Sequence, residues 1–216
     1  MQPTALWLVL DLQHGKPGLS DSSGTVRGLD TRIPDWRPTP GAQRYRTADT
    51  DLLALPLHST HRVYLLGGGH VVRELQPLLT HLGFRCIVLE DREEFAHPEL
   101  FPTAEQVLLV DFEHLSSYIT ITEQDFVCIM TRGHSYDLAL QAQVLQQHPR
   151  YVGIIGSRSR AVRDRQALRE QYGLSEAALS AAVTPIGLDI DAKTPAEIAV
   201  SIAAQMIQVR AAETIG

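Results

Sequence analysis

Short runs of consecutive apolar residues recur along the chain from Arg62 onward. They cover residues 63–66, 86–89, 107–110, 126–130 and 151–155. Continuous apolar runs of this length are typical of strands covered on both faces, as in a parallel sheet. Segments with helical periodicity separate several of these runs. The alternation predicts a doubly wound, mostly parallel, Rossmann-like α/β domain over residues 61–216.

The segment after the first of these strands predicts an amphipathic helix. Its apolar residues fall on one stripe, made of Val71, Val72, Leu75, Leu78, Leu79 and Leu82. Pro77 should bend this helix or force a local adjustment, and Gly83 should end it. Two further helices are predicted over residues 136–147 and 160–172, the second of them more polar and ended by Gly173.

The last helix has the clearest start signal in the sequence. Thr194 stands at the expected N-cap, Pro195 at the first helical position and Glu197 at the third. This is the pattern of a capping box, in which the threonine and glutamate side chains each bond the other's backbone N–H. The buried face of the helix is predicted to carry Ile198, Ile202, Met206 and Val209.

The first sixty residues have a different pattern. Residues 5–10 form an apolar run that predicts a buried strand, and the stretch after it is rich in Gly, Ser, Asp and Pro. Such a composition favours short strands and turns over helices. The sequence therefore predicts a small β-rich region over residues 1–60, with a boundary near residues 58–61.

Composition and charge narrow the classes of protein that the chain can represent. Of its 216 residues, 44% are hydrophobic and 20% are charged, which is ordinary for a globular protein with a real core. A formal net charge of −6 disfavours nucleic acid and anionic membranes as partners. No apolar stretch approaches the roughly 18 residues of a membrane span, and no basic segment marks a secretory signal. A reducing, cytoplasmic location is expected.

The chain has two cysteines, and both fall within apolar runs. Cys86 lies in the second predicted strand and Cys128 in the fourth. A disulfide scaffold or a zinc cluster is therefore not expected. Buried cysteines behave as inert apolar residues, so neither thiol is expected to act as a nucleophile or to carry sulfur.

A run of glycines follows the first strand and opens the first helix. It consists of Gly67, Gly68 and Gly69, followed by His70. In a Rossmann fingerprint such glycines permit a tight turn and let a pyrophosphate approach the helix N-terminus, although Val72 stands in place of the third glycine. Glu90 and Asp91 end the second strand, where a carboxylate is expected to bind a ribose. The alternative interpretation is a turn that needs glycine for its geometry and binds nothing.

The segment after the fourth strand combines several reactive side chains. It reads Thr131, Arg132, Gly133, His134, Ser135, Tyr136 and Asp137. In a doubly wound sheet this segment lies beside the glycine loop, at the crevice where ligands bind. Arg132 could hold a phosphate, and His134 could bind a ligand or transfer a proton. Asp137 would line the crevice or, alternatively, only cap the next helix.

Four further candidates follow the third and fifth strands. Asp111 ends the third strand, where it would join the crevice or cap a turn. Gly156, Ser157 and Arg158 follow the fifth strand, where Ser157 can cap a helix and Arg158 can reach an anion. No metal site is expected, because no thiol or carboxylate cluster completes a ligand set around the histidines.

Several of these segments together resemble the XdhC/CoxI family of xanthine dehydrogenase accessory proteins. The matching segments are GGGHV at 67–71, TRGH at 131–134 with Asp137, GIIGSR at 153–158, PIGLD at 185–189 and TPAEIAVSI at 194–202. They occur in the family's order, and the resemblance covers roughly residues 62–210. Only about sixty residues precede this part, so the N-terminal region is expected to be a shortened version of the family's N-terminal domain.

The resemblance implies a factor that binds the molybdenum cofactor (molybdopterin), assists its sulfuration and protects it until insertion into a xanthine dehydrogenase-type molybdenum hydroxylase. It implies a chaperone more than a catalyst, so no catalytic residue is assigned. Because neither cysteine is suited to carry sulfur, a separate cysteine desulfurase is expected as a partner. A homo-oligomer is expected, because the N-terminal strands have an edge to cover.

Two other functions stay open. An NAD(P)-dependent oxidoreductase would use the same glycine loop together with Glu90 or Asp91. Against it, the sequence has no obvious catalytic Tyr-x-x-x-Lys pair and little length for a substrate domain. The third function is a regulatory module in which a bound dinucleotide shifts an interface.

Overall fold

The computed structural model describes residues 6–21, 23–37, 42–57, 61–132 and 137–212. The chain forms two compact units. The smaller comprises Met1–Ser59 and Arg210–Gly216, and the larger comprises Thr60–Val209. Each unit is built on its own six-stranded sheet.

The sheet of the smaller unit is antiparallel throughout. Its strands are β1 (Leu6–Asp11), β2 (Lys16–Ser20), β3 (Thr25–Arg27), β4 (Thr31–Arg32), β5 (Gln43–Arg46) and β6 (Asp51–Leu57). They lie in the order β4-β3-β2-β1-β6-β5. The core of this unit is made of Trp7, Val9, Val26, Ile33, Leu52 and Ala54. The small β-rich region expected at the N-terminus is confirmed.

β1 is covered on one face only, which differs from the buried strand predicted for residues 5–10. Trp7 and Val9 are 4% and 0% exposed, whereas Leu6 is 42% exposed. Trp7 packs edge-on against Trp36, with ring centroids 5.1 Å apart. An antiparallel sheet with one covered face produces this alternation. This alternation is not visible in the sequence, because the outward positions of β1 are leucines.

The sheet of the larger unit is parallel throughout. Its strands are β7 (Arg62–Leu66), β8 (Arg85–Glu90), β9 (Gln106–Leu109), β10 (Phe126–Ile129), β11 (Tyr151–Ile154) and β12 (Ala182–Val183). They lie in the order β12-β11-β10-β7-β8-β9. The five predicted apolar runs coincide with β7 to β11, and the Rossmann-like prediction is confirmed. The two-residue β12 is too short to leave a pattern in the sequence.

Five α-helices connect these strands or follow them. They are α1 (His70–His81), α2 (Asp137–Leu145), α3 (Arg158–Tyr172), α4 (Glu176–Ala181) and α5 (Pro195–Ala211), with 3-10 turns at Glu93–Phe95, Pro98–Leu100 and Phe112–Ser117. α1 continues through Pro77, and α3 begins two residues before the predicted start. In the described part of the chain, no helix is long and apolar enough to cross a membrane.

Helices cover both faces of the parallel sheet. Along β7, Tyr64 and Leu66 face one apolar cluster, which contains residues of α2, α3 and α4. Val63 and Leu65 face the other cluster, which contains residues of α1 and α5. Because both faces of β7, β8, β10 and β11 are buried, these strands read as continuous apolar runs. The prediction of two covered faces is wrong for β9, which lies at the edge of the sheet and has Leu109 52% exposed.

The capping box predicted at the start of α5 is confirmed. The Glu197 N–H donates to Thr194 Oγ1 at 3.2 Å, and the Thr194 N–H donates to Glu197 Oε2 at 2.9 Å. These reciprocal bonds satisfy N–H groups that a helix start leaves without a partner.

Candidate functional site

The ends of β7 and β10 define a crevice at the carboxyl edge of the parallel sheet. The two strands are neighbours, but α1 packs on one face of the sheet and α2 on the other. Doubly wound folds bind ligands where their connections diverge in this way. A cavity of about 330 Å³ lies here, and its lining includes Gly69, His70, Thr131 and Arg132. Gly133 and His134, also predicted for the site, lie outside the described residues.

Gly67 lets the backbones after β7 and β10 approach each other closely. Its φ of +112° is a conformation that side chains rarely adopt, and an added Cβ would lie 2.6 Å from the Met130 carbonyl oxygen. Its N–H donates to the Leu89 carbonyl at 2.7 Å. The geometry of the turn itself therefore requires glycine at this position.

Gly68 and Gly69 meet different surroundings. A Cβ on Gly68 would lie 3.0 Å from Glu90 Oε2 and from the Phe95 carbonyl oxygen. A Cβ on Gly69 would meet nothing within 4 Å. Gly69 is the N-cap of α1 and supplies no side-chain hydrogen bond. The first-turn N–H groups of α1, at the edge of the cavity, are thus available to an anion.

Glu90 is the last residue of β8, and its carboxylate is held inside the protein. The residue is 1% exposed. Its Oε2 accepts the Gly68 N–H at 2.6 Å, and Arg92 donates to both oxygens, from Nε at 2.9 Å and from Nη2 at 3.0 Å. Burial opposes ionisation, but these hydrogen bonds outweigh it and lower the pKa of Glu90 to about 2. Glu90 therefore joins the glycine loop to the end of β8.

Asp91 is the more exposed carboxylate at this strand end. Its side chain is 35% exposed, and Oδ1 lies 3.8 Å from Arg92 Nε. Burial and the neighbouring Glu90 carboxylate raise the pKa of Asp91 to about 6. Asp91 therefore ionises less readily in the folded protein than in the unfolded chain.

We expect Asp91→Asn to raise the free energy of unfolding at pH 7.5 by up to about 1 kcal/mol, a value reduced for the partial exposure of the side chain. A raised carboxyl pKa contributes stability below the unfolded value, near 4, and that stability is lost as the pH rises through about 6. The variant should therefore equal the wild type below about pH 4. Urea unfolding of the variant and the wild type at pH 7.5 and below about pH 4 measures the difference in the free energy of unfolding. An equal difference at the two pH values would contradict the prediction.

Asp137, the first residue of α2, has its carboxylate bonded within the protein. It is 4% exposed and accepts hydrogen bonds from Thr131 Oγ1 and from Arg160 Nη2. Arg160 also contacts Asp164 at 3.3 Å. Asp137 therefore ties the start of α2 to the end of β10 and to α3.

Among the cavity residues that the sequence reasoning missed, three carry a charge or an aromatic ring. They are Arg73 on α1 and, after β8, Arg92 and Phe95. The other missed residues are Val71, Val72, Met130, Ile155 and Pro195. The guanidinium carbons of Arg92 and Arg73 lie 4.0 and 5.5 Å from the Phe95 ring centroid. Arg92 could have been found from its position two residues beyond Glu90, at the predicted strand end. No pattern in the sequence places Arg73 beside Phe95.

Nine of the predicted residues that the structure describes lie outside the cavity lining. Five of them, described above, stand beside the cavity or in its supporting contacts: Gly67, Gly68, Glu90, Asp91 and Asp137. The other four are Asp111, Gly156, Ser157 and Arg158. Ser157 caps α3 by accepting the Arg160 N–H at 3.2 Å, and Gly156 precedes it. Arg158 pairs with Asp189 at 2.9 Å on the surface. Asp111 caps the turn after β9 and bonds His114 at 2.8 Å, which lowers the pKa of Asp111 and raises that of His114.

Both cysteines are buried in the parallel sheet. Cys86 and Cys128 are 1% and 0% exposed. Burial raises the pKa of Cys86 to about 11 and also raises that of Cys128. Neither side chain therefore presents a thiolate at neutral pH.

The parallel, doubly wound sheet and its switch-point crevice place the larger unit in the Rossmann class of α/β domains. The chain belongs to the XdhC family: residues 63–206 match the XdhC Rossmann domain.

Two curated proteins are similar to this chain over part of their length. A protein of Bacillus subtilis (strain 168), described as a probable xanthine dehydrogenase subunit, is 29% identical over 161 residues, 74% of this chain and 46% of that protein. The uncharacterized protein YqeB of Escherichia coli (strain K12) is 31% identical over 150 residues, 69% of this chain and 27% of YqeB. The chain thus spans less than half the length of these curated relatives.

A solved structure shares the fold. A crystal structure described as a xanthine dehydrogenase from Bacillus halodurans matches with a TM-score of 0.69 at 23% identity. The match covers 95% of this chain and 60% of that one.

Proposed function

We propose that the chain is an accessory factor of a xanthine dehydrogenase-type molybdenum hydroxylase, and that it binds the molybdenum cofactor in the crevice between β7 and β10. Membership of the XdhC family supports this, as does the Bacillus subtilis relative described as a probable part of a xanthine dehydrogenase. The observation that carries the proposal is the switch-point cavity, where an uncapped helix N-terminus and arginine side chains converge.

The phosphate of the cofactor would bind at the start of α1. The first-turn N–H groups and the helix dipole favour an anion there. Arg132 lines the cavity from the end of β10, is exposed, and has no ion pair among the described residues. A guanidinium in this position can bond two phosphate oxygens at once.

The pterin ring would lie against the apolar part of the same cavity. Phe95, Met130 and Ile155 contribute to its lining. Pockets that bind small molecules usually combine such apolar walls with a few polar groups that fix orientation. A volume of about 330 Å³ is near the small end of such pockets.

The chain would protect and deliver the cofactor and would not donate the sulfur. Its two cysteines are buried in strands and have raised pKa values. The sulfur would then come from a separate cysteine desulfurase, with this chain holding the cofactor during the transfer.

Arg132→Gln is expected to weaken the binding of molybdopterin by about tenfold or more, because a charge-assisted hydrogen bond to phosphate is lost. The measurement is a fluorescence titration of the purified full chain. Arg163→Gln is the matched control: Arg163 is an exposed arginine on α3 that is absent from the cavity lining, so affinity should be unchanged.

Equal affinity in the wild type and in both variants would place the ligand elsewhere. Oxidation of NAD(P)H by small carbonyl compounds would contradict the accessory role and favour an oxidoreductase.

A further inference from the structure

Two arginines and a phenylalanine surround the end of β8, where a Rossmann domain holds the ribose of a dinucleotide. We propose that Arg73 and Arg92 bind a phosphate monoester on the 2′ position of that ribose. The crevice then takes NADPH or NADP+ in preference to NADH or NAD+. This goes beyond the proposed function and shares only the crevice with it.

The carboxylate that would accept a free ribose hydroxyl is already occupied. Such an acceptor needs a free lone pair facing the ligand. Glu90 stands at the expected strand end, but its Oε2 accepts the Gly68 N–H and Arg92 Nη2. Its Oε1 accepts Arg92 Nε and the backbone N–H groups of Asp91 and Arg92. An unphosphorylated ribose therefore gains no hydrogen bond from Glu90.

Asp91 does not replace Glu90 in this role. Its carboxylate lies beside Arg92, at 3.8 Å from Nε, and Asp91 is absent from the cavity lining. Its raised pKa also makes this position easy to neutralise when a second anion arrives.

The arginines present donors that the protein itself does not use. The Nε and Nη2 atoms of Arg92 bond Glu90, and within the described residues its Nη1 has no hydrogen-bond partner. Arg73 bonds the Gly68 carbonyl only through Nε, at 3.4 Å. Both guanidinium groups lie by the Phe95 ring, which limits their motion. Guanidinium edges held in this way suit the geometry of a phosphate.

Charge at this end of the cavity also favours an anionic ligand, because of Arg73. The carboxylates of Glu90 and Asp91 both face Arg92, at 2.9 and 3.8 Å from its Nε. Arg73 has no ion pair within the described part of the chain, so its charge is available to a ligand. A 2′-phosphate would supply the negative charge, whereas a ribose hydroxyl would leave this cation unpaired.

The test is a fluorescence titration of the full chain with NADPH and with NADH at one ionic strength. NADPH should bind at least about tenfold more tightly, because charge-assisted hydrogen bonds are gained. Arg73→Gln should reduce this ratio towards one and leave the NADH affinity unchanged. Arg92→Gln should do the same, but it also breaks the bond to Glu90 and could impair folding, so Arg73→Gln is decisive. Arg163→Gln should leave the ratio unchanged.

Equal affinity for the two nucleotides, binding of neither, or an unchanged ratio in Arg73→Gln would overturn the proposal. A preference for NADPH in a protein that does not bind molybdopterin would support it while refuting the cofactor-binding role. Molybdopterin binding that is lost in Arg73→Gln, without any preference for NADPH, would assign the two arginines to the pterin phosphate instead.

Discussion

We expect Gly67→Ala to lower the free energy of unfolding by at least about 3 kcal/mol and much of the variant protein to be insoluble. Two costs combine. A side chain at φ +112° strains the backbone by about 1–3 kcal/mol, and the added Cβ would lie 2.6 Å from the Met130 carbonyl oxygen. Relief requires β7 and β10 to separate, which disrupts the centre of the sheet. Urea unfolding followed by circular dichroism measures the effect.

Gly69→Ala is the matched control for this substitution. Gly69 has a φ of −72°, and an added Cβ would meet nothing within 4 Å. We expect a loss of about 1 kcal/mol or less, from a poorer helix cap. Equal losses in the two alanine variants would mean that the close approach at Gly67 does not limit stability.

Glu90→Gln is expected to cost about 2–3 kcal/mol at pH 7. The amide can still accept the Gly68 N–H, but Arg92 loses the charge that it pairs with, and removing one partner of a buried pair is expensive. The value is below that of a fully buried pair, because the Arg92 side chain is 30% exposed and can be hydrated. Chemical unfolding at neutral pH provides the measurement.

The pH dependence of this loss distinguishes a charge effect from a packing effect. The pKa of Glu90 is lowered to about 2, so its contribution is complete above the unfolded value, near 4.3, and disappears as the pH falls through about 2. The difference between Glu90→Gln and the wild type should shrink over that interval. Glu93→Gln, an exposed neighbour, should stay within about 0.5 kcal/mol of the wild type. A difference that is constant with pH would refute the charge effect.

The fold of the larger unit was predictable because its signals are local. The apolar runs of β7, β8, β10 and β11 each contain their own evidence of burial on two faces. The α5 start was predictable for the same reason, since Thr194 and Glu197 are three residues apart and bond each other. By contrast, α4 and β12 have only six and two residues, too few for a period to appear.

The site was predictable only in outline. Strand ends in a doubly wound sheet converge, so Gly69 and Arg132 could be placed in one crevice from their positions alone. The direction in which a side chain turns is decided by partners distant in sequence. Glu90 turns inward towards Gly68, 22 residues away, and Asp137 pairs with Arg160, 23 residues away. No local spacing encodes either contact.

β1 carries apolar residues on both of its faces, so hydrophobicity alone does not fix its register. A slip of one residue would replace Trp7 and Val9 in the core by leucines from the outer face. The shapes of the buried side chains and the turn after β1 must therefore determine its register. A leucine in place of Trp7 would leave a void beside Trp36, and Asp11 holds the following turn by accepting the Gln13 N–H at 2.9 Å. The Trp7 indole and the Asp11 carboxylate thus select the observed strand register over the shifted one, although both registers would bury apolar side chains.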